Sequence, residues 1–453
     1  MTADNDGVID VQKFIDSRGF SPFQWGILIL CFLIVAADGF DTAAIGFVAP
    51  ALTKEWGVSK LELGPVLSAA LIGLAAGALA AGPIADRFGR KRVLLLSVIA
   101  FGGMSLACAY ASSLNELLIL RFLTGVGLGA AMPNATTLLS EYAPASRRGF
   151  LVNVMFCGFT LGAAGGGLAA AALIPEFGWR SVFIVGGIAP LLLAFALLGL
   201  PESVRHMVVR GKSPAAIRAV LERIGGSGTA AANRFALPEQ DCQLTGSPLS
   251  IVLSQQLRFG TLMLWVTYFM GLLVYYLLSS WMPTLIRESG MSIRDASLIT
   301  ALFPFGSTVG AIIFGWLMDR RNPYKVVGIA YLLTGAFVWG VGQSLSDTAL
   351  LIAVTFLAGI FMGGGQVSMP VLASNYYPTA GRASGVAWML GMGRFGGILG
   401  AFIGGTLLQL GLSLPAILGI LAAPAAIAAA SIMAMGSSTR NAAIKSTKSA
   451  PVL

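Results

Sequence analysis

Twelve apolar stretches, each near the roughly 20 residues that cross a bilayer as a helix, constrain this chain more than any other feature. Only 11% of its 453 residues are charged, against about 25% in a soluble domain. Too little polar surface remains for a water-soluble body of this size, so the outer surface must face the lipid bilayer. We therefore predict an all-α membrane protein whose twelve transmembrane helices lie at about 24–50, 61–83, 93–112, 115–140, 149–172, 180–200, 259–285, 296–318, 325–344, 348–372, 383–409 and 412–434.

A polar stretch of about 55 residues separates the sixth span from the seventh and divides the spans into two groups of six. The N-terminus is acidic and polar, so we expect no cleavable signal peptide. Residues 8–20 have the composition of a short interfacial helix. The predicted organisation is a cytoplasmic N-terminal segment (1–23), a six-helix bundle (24–200), a cytoplasmic linker (201–256), a second six-helix bundle (257–435) and a cytoplasmic tail (436–453).

The basic residues indicate the orientation of the chain. Of the 29 Lys and Arg residues, 22 fall on the side of the N-terminus, five on the other side and two within spans. Lys and Arg concentrate in cytoplasmic loops, so both termini are predicted to be cytoplasmic. The same distribution explains the net charge of +9 by topology, and we expect no nucleic acid partner.

The two halves resemble each other at an offset of 233 or 234 residues. Gly82–Arg87 recurs as Gly315–Arg320, and Gly129 aligns with Gly363. A duplicated six-helix unit predicts two bundles related by pseudo-twofold symmetry around a central cavity, with the substrate bound near the midplane. Glycine-rich stretches at 162–167 and 396–405 are predicted to let helices pack closely.

Several function classes conflict with the sequence. The four cysteines are scattered without a CxxC spacing, and His206 is the only histidine, so neither a metal site nor a cofactor is expected. A membrane enzyme would also need a nucleophile constellation, and none occurs. A primary pump would need a GxxxxGK[ST] phosphate loop, which is missing. A channel is disfavoured by the duplication and by buried charges that have no counterpart at the equivalent position of the other half.

Three motifs, GPIADRFGRKR after the second span, RFLTGVGLGA in the fourth and PESVRHMV after the sixth, resemble signatures of the major facilitator superfamily. Within it, DGFD at 38–41, VQKFIDSRGFSPFQW and SSWMPTL resemble the aromatic acid:proton symporter family. The resemblance implies a monomeric importer of a benzoate-like or hydroxybenzoate-like anion, coupled to protons by alternating access in a bacterial inner membrane. Another small organic anion or a sugar remains open as the substrate, and a drug exporter is a further alternative.

The buried charges of the first and fourth spans are candidates for proton coupling. Asp38 and Asp41 are three residues apart and share a helix face. Charges near the bilayer centre are costly, and two on one face suggest a water-accessible cavity. Arg121 and Asp38 each lie roughly 9 Å from the outer face, at ~1.5 Å per residue. Arg121 is therefore predicted to pair with Asp38 or Asp41, and the alternative is a static packing pair.

Arg394 lies in the eleventh span, roughly 16 Å from the inner face. It is predicted to anchor the substrate carboxylate, because a guanidinium can donate two parallel hydrogen bonds to a carboxylate. An internal ion pair is the alternative. The other candidate substrate contacts lie within spans: the polar residues Asn134 and Gln366, which suit a ring hydroxyl, and the aromatic residues Tyr275 and Trp388, for which packing or interfacial anchoring is the alternative.

Charged residues at the predicted inner ends of the helices suggest a network that holds this face closed. We expect substitutions there to change state populations and not substrate recognition. The candidate gating residues are Asp86, Arg87, Gly89, Arg90 and Glu141 in the first half, and Asp319, Arg320 and Arg382 in the second.

Overall fold

A computed structural model describes residues 8–225, 234–236, 251–378 and 381–448. Cys242 and the Pro/Gly/Ser-rich end of the predicted linker lie outside the described residues. Among the described residues, twelve helices are long and apolar enough to cross a membrane, which confirms the predicted number of spans.

Most helices extend beyond the predicted spans, because polar residues at their ends continue the helical backbone, whereas the third, sixth and ninth end before the predicted limit and the twelfth begins after it. In the first half they are α2 (Pro22–Trp56), α3 (Lys60–Phe88), α4 (Arg90–Cys108), α5 (Leu114–Tyr142), α6 (Arg148–Phe177) and α7 (Arg180–Leu198). In the second half they are α10 (Arg258–Glu288), α11 (Ile293–Met318), α12 (Pro323–Gln343), α13 (Thr348–Tyr376), α14 (Arg382–Gln409) and α15 (Leu414–Lys448). Short elements precede and follow the first half: β1 (Val8–Asp10), α1 (Val11–Asp16), α8 (Val204–Val209), α9 (Pro214–Gly225) and β2 (Arg234–Ala236).

The N-terminal segment forms less helix than predicted. Helix appears only in α1, and β1 pairs in parallel with β2 from the linker. The apolar side chains of α1 are buried in a core with those of α9, which include Ile217 and Leu221. The segment therefore packs against the protein's own linker, which an isolated 13-residue pattern does not reveal.

Side-chain caps define where several spans begin. Ser113 accepts a hydrogen bond from the Glu116 backbone at the start of α5, and Ser292 accepts one from Asp295 at α11. Asn322 caps α12 in the same way. Ser, Asn and Asp at these positions satisfy backbone N–H groups that have no partner within the helix.

Glycines make the same close helix crossings in both halves. A Cβ atom at Gly73 would clash with the backbone of Phe122, where α3 crosses α5. Gly306, 233 residues later, would clash with Phe356, where α11 crosses α13. The α2–α6 crossing at Gly158 and Gly162 has its counterpart at the α10–α14 crossing, where Gly396 and Gly400 meet the α10 backbone. The duplication predicted from sequence is therefore repeated in the packing.

The contacts of the chain divide it into two compact units. The first contains the described residues within 1–42, 72–163 and 180–241, and the second contains those within 43–71, 164–179 and 242–453. The border between them therefore passes through α2, α3 and α6. A division into two bundles at the linker remains a prediction.

Candidate functional site

Arg121 and Asp41 form a fully buried ion pair within the first unit. The Arg121 Nη1 donates to Asp41 Oδ2 at 2.7 Å, and Nη2 donates to the Asp41 backbone carbonyl at 3.0 Å. Ser105 on α4 donates its hydroxyl to the other carboxylate oxygen at 2.5 Å. Arg121 also lies over the ring of Phe183, 5.6 Å from its centroid. The predicted pairing of Arg121 with a span-one carboxylate is therefore observed, and the partner is Asp41.

Asp38, one turn earlier on α2, has different surroundings. It is only 1% exposed, and its Oδ1 accepts a hydrogen bond from Thr42 at 3.2 Å. Between the two acids, Gly39 lies against the backbone of Phe159 on α6, where no Cβ atom would fit. The DGFD motif thus combines two buried carboxylates with the close crossing that buries them.

Arg394 lies in the second unit near a polar cluster that α10, α12 and α13 contribute. The hydroxyl of Tyr268 lies close enough to the Arg394 guanidinium to feel its charge, and it also lies beside Gln366. Tyr331 donates its hydroxyl to Gln366 Oε1 at 2.8 Å. Arg394, Tyr268 and Gln366 are each partly exposed, so a ligand can reach them. The arrangement offers a cation, the Tyr268 phenol and an amide to one small polar molecule, while the fully buried Tyr331 holds the amide in place.

The other predicted substrate contacts have packing roles in this structure. Asn134 is 3% exposed and donates to the Ala130 carbonyl of its own helix. Tyr275 is buried and packs against Tyr276 and Phe303. Trp388 is exposed and stacks on Trp265, with ring centroids 6.0 Å apart. Their contact with substrate stays a prediction, with less support than that of Arg394 and Gln366.

Arg90 connects the carboxylates of the predicted inner network. Its Nη2 lies 3.0 Å from Asp86 Oδ1, and its Nε lies 3.6 Å from Glu141 Oε1. Ser203 donates a hydrogen bond to Glu141, and the remaining Arg90 Nη1 lies 3.2 Å from His206 Nδ1. The predicted grouping of Asp86, Arg90 and Glu141 is therefore observed, and the PESVRH segment completes it.

Backbone contacts connect the same loop to the segment after α7. Gly89 has a φ of 101°, and a Cβ atom there would clash with the Glu202 carboxylate. Glu202 Oε1 accepts from the Lys91 backbone at 3.0 Å, and Arg210 donates to the carbonyls of Asp86 and Arg87. Gly89 is required both for its left-handed conformation and for the approach of Glu202.

Burial lowers the pKa of His206, and the neighbouring cations Arg90 and Arg210 lower it further against the opposing charges of Glu202 and Asp86. An arginine N–H can only donate, so the Nδ1 that faces it must be an unprotonated acceptor. His206 is therefore a neutral member of the network.

The remaining predicted gating residues do not join an ion pair among the described residues. Arg87 lies over the ring of Phe88, and Arg320 lies over Trp316, 4.0 Å from its centroid. Asp319 is the C-cap residue that follows α11, and Arg382 begins α14 as an exposed residue. The second copy of the loop motif therefore lacks the ionic contacts of the first, because Pro323 stands 233 residues after Arg90. Their gating role stays a prediction.

Several residues in these clusters escaped sequence reasoning, among them Thr42, Tyr268, Ser105 and Tyr331. Thr42 follows Asp38 by four residues and Tyr268 precedes Tyr275 by seven. Residues at these spacings share a helix face, so helical periodicity could have identified both. Ser105 and Tyr331 come from other helices, and only the tertiary packing brings them to their partners.

The Major Facilitator Superfamily matches this chain over residues 31–297 and 264–451. The chain is 54% identical to the 4-hydroxybenzoate transporter PcaK of Pseudomonas aeruginosa over 429 residues, which cover 94% of this chain and 96% of the relative. It is 50% identical to the gallate transporter of Pseudomonas putida over 95% of this chain and 96% of the relative.

Among solved structures, the xylose transporter XylE of E. coli in its inward open conformation matches with a TM-score of 0.68. The match has 19% identity and covers 90% of this chain and 95% of XylE, a level of identity that shows the fold alone. The chain therefore belongs to the Major Facilitator Superfamily, as a close relative of its aromatic acid transporters.

Proposed function

We propose that this protein imports an aromatic carboxylate of the benzoate or hydroxybenzoate class together with protons, by alternating access. Relatives that are 50–54% identical over nearly their whole length bear the names of 4-hydroxybenzoate and gallate transporters. The protein would act as a monomer in a bacterial inner membrane, with both termini in the cytoplasm.

The buried carboxylates of α2 carry the proposal of proton coupling. Asp41 is held by the Arg121 guanidinium and the Ser105 hydroxyl. Asp38 accepts from the neutral hydroxyl of Thr42 and is nearly inaccessible to water. Burial favours the neutral form of a carboxyl group, so Asp38 is the proposed proton carrier. Asp41 and Arg121 form the buried ion pair beside Asp38.

The proposed substrate contact is Arg394. Its guanidinium supplies the charge and the paired donors that a carboxylate needs. The nearby phenol of Tyr268 and amide of Gln366 supply partners for a ring hydroxyl, and the buried Tyr331 hydroxyl holds that amide in place. A hydroxybenzoate carries a carboxylate and a hydroxyl group on one rigid ring, and the cluster provides partners for both groups.

The network around Arg90 is proposed to stabilise one conformation of the transport cycle. Its residues lie at the ends of α3, α4 and α5 and contact the segment after α7. A conformational change that separates these elements would have to break the ion pairs. Weakening the network should therefore shift the population of states without altering substrate chemistry.

The test is uptake of labelled 4-hydroxybenzoate into proteoliposomes, with and without an inward proton gradient. The wild type should accumulate substrate only with the gradient. Asp38→Asn should lose accumulation but still exchange internal unlabelled for external labelled substrate, because exchange needs no net proton movement. Arg394→Lys should raise the apparent KM, since it keeps the charge and loses the paired donors.

A folded wild-type protein that ignores every benzoate-like acid would refute the proposed substrate class. Gradient-driven accumulation by Asp38→Asn would refute the proton role of Asp38, and an unchanged KM in Arg394→Lys would refute the carboxylate contact.

A further inference from the structure

A cavity of about 700 Å³ lies in the second unit, away from the residues assigned so far. It is an open space lined by the C-terminal ends of α2, α6 and α10 and by the N-terminal end of α11. Small-molecule sites commonly have volumes of about 300–1,000 Å³. Positive-inside topology assigns these helix ends to the outer face, so we call this space the outer cavity.

Three cations line the outer cavity: Lys54, Arg287 and Arg294. Five basic residues were assigned to the outer side, namely Lys54, Lys60, Arg180, Arg287 and Arg294, so three of the five collect here. None of these three cations is within an ion pair among the residues that the structure describes.

One carboxylate, Glu55, also lines the outer cavity, and it has a separate task. Trp179 Nε1 donates to Glu55 at 2.7 Å, and the Trp179 ring packs edge-on against Trp56 at 5.3 Å. Glu55 thus positions the tryptophan wall of the cavity. Arg287 Nη1 donates to the Met291 carbonyl at 2.8 Å, which holds the guanidinium in place and leaves its other N–H donors available. With one negative and three positive side chains, the lining carries a net charge of +2.

We propose that the outer cavity is a recruitment site at which aromatic carboxylate anions collect before they enter the transport path. The three cations attract the carboxylate, and the apolar lining of Ile174, Pro175, Ile293 and the Trp179 ring accommodates an aromatic ring. The inference rests on the proposed function, since it assigns this space to the same substrate class. It is distinct from the Arg394 cluster, whose residues do not line the cavity.

The effect of such a site is on substrate capture. A charge about 8 Å from an anion in a medium close to water changes its local concentration roughly twofold. Removing all three charges should therefore raise the KM for an anionic substrate about tenfold at low salt. The maximal rate should not change, because conformational cycling and proton coupling take place elsewhere. Salt at about 1 M, with a Debye length near 3 Å, should remove the difference.

The experiment measures initial uptake of labelled 4-hydroxybenzoate at pH 7 in right-side-out vesicles, at low and high ionic strength. The variants are Lys54→Gln, Arg287→Gln, Arg294→Gln and the triple combination. Lys60→Gln is the matched control, because Lys60 is a base on the same side that pairs with Glu288 and does not line the cavity. The inference predicts a KM that rises with each removed cavity charge at low salt, while the control keeps the wild-type KM.

Charge restoration provides a second readout that a folding defect cannot mimic. Arg294→Cys should regain a low KM after treatment from outside with a membrane-impermeant cationic thiol reagent, and an anionic reagent should raise the KM further. Wild-type protein treated in parallel controls for the native cysteines. The inference would be overturned if the wild type and the triple variant had the same KM, or if the two reagents had equal effects. In either case, normal uptake by the wild type would leave the proposed function intact. Wild-type protein that transports no aromatic acid would instead overturn the proposed function, and this inference with it.

Discussion

The guanidinium of Arg121 is fully buried, so its charge depends on Asp41 for compensation. Removing one partner of a buried pair leaves an uncompensated charge and costs about 3–5 kcal/mol. We expect Asp41→Asn to lower the thermal stability of the purified protein strongly and to abolish transport as a consequence. Asp38→Asn, on the same helix face, should lower stability less, because an asparagine amide oxygen can still accept the Thr42 hydroxyl. The measurement is thermal unfolding in detergent for both variants.

The double variant Asp41→Asn/Arg121→Gln supplies the control. Replacing both charges removes the unpaired guanidinium, so stability should largely return even though transport does not. Equal destabilisation by Asp38→Asn and Asp41→Asn would contradict the division of roles between the two acids.

His206 makes the stability of the inner network dependent on pH. Its pKa is lowered in the folded protein, chiefly by burial, so an unfolded chain binds the proton more readily. At a pH well above the ordinary histidine pKa of 6.5, this residue does not change the stability of the protein. The stability falls as the pH decreases through and below 6.5. We expect the thermal midpoint of the wild type to drop more steeply between about pH 7 and pH 5 than that of His206→Asn.

Asparagine is the suitable replacement because its amide oxygen can still accept the Arg90 N–H without titrating. Other groups titrate over the same range, so the difference between the two slopes is the informative quantity. Parallel slopes for wild type and variant would show that His206 does not contribute.

At the scale of the element, the crossing of α2 and α6 places the acidic motif. A Cβ atom at Gly39 would clash with the Phe159 carbonyl, and backbone cannot move aside as a flexible side chain can. Gly39→Ala should therefore destabilise the protein by about 1–3 kcal/mol or more, as overpacked cores do. Transport should fall as well, because Asp38 and Asp41 flank the crossing. Thermal unfolding and uptake measure the two effects.

Gly165 on α6 is the matched control, because a Cβ atom there would meet nothing within 4 Å. Alanine is the better helix former by about 1 kcal/mol, so Gly165→Ala should be neutral or slightly stabilising. If both variants behave alike, close packing is not the reason for Gly39.

The spans themselves were predictable because the bilayer imposes their length and composition on any sequence. The repeat was predictable for a related reason: glycines at 73 and 306 recur where the same crossings recur. Contacts between distant elements were not predictable. The pairing of β1 with β2 joins segments more than 200 residues apart through three residues each, which leaves no periodic pattern.

The candidate site shows the same limit. Helix depth restricted the partner of Arg121 to Asp38 or Asp41, but residues three apart on one face differ in depth by only about 4–5 Å. The choice depends on Ser105 and Phe183 from α4 and α7, which hold the pair around Asp41. Likewise, Gln366 was a reasonable candidate as a polar residue within a span, whereas its contact with Tyr331 depends on how α12 packs against α13.

At the scale of the whole molecule, the roles of the two acids determine the energetics of import. An anion that enters against an inside-negative potential loses ~2.3 kcal/mol per 100 mV, and one cotransported proton cancels that cost. If Asp41 remains paired with Arg121 and only Asp38 carries a proton, each cycle moves one proton with one anion and no net charge. The membrane potential then does not drive uptake, and the pH gradient alone does.

We therefore expect potassium diffusion potentials, imposed across proteoliposomes with valinomycin at equal internal and external pH, to cause no accumulation of 4-hydroxybenzoate. An inward gradient of one pH unit should cause about tenfold accumulation, since one unit corresponds to 1.36 kcal/mol for a single proton. Liposomes without protein correct for passive entry of the neutral acid, and Asp38→Asn should match them. Accumulation driven by potential alone would require a second proton, and Asp41 would then have to release Arg121 during the cycle.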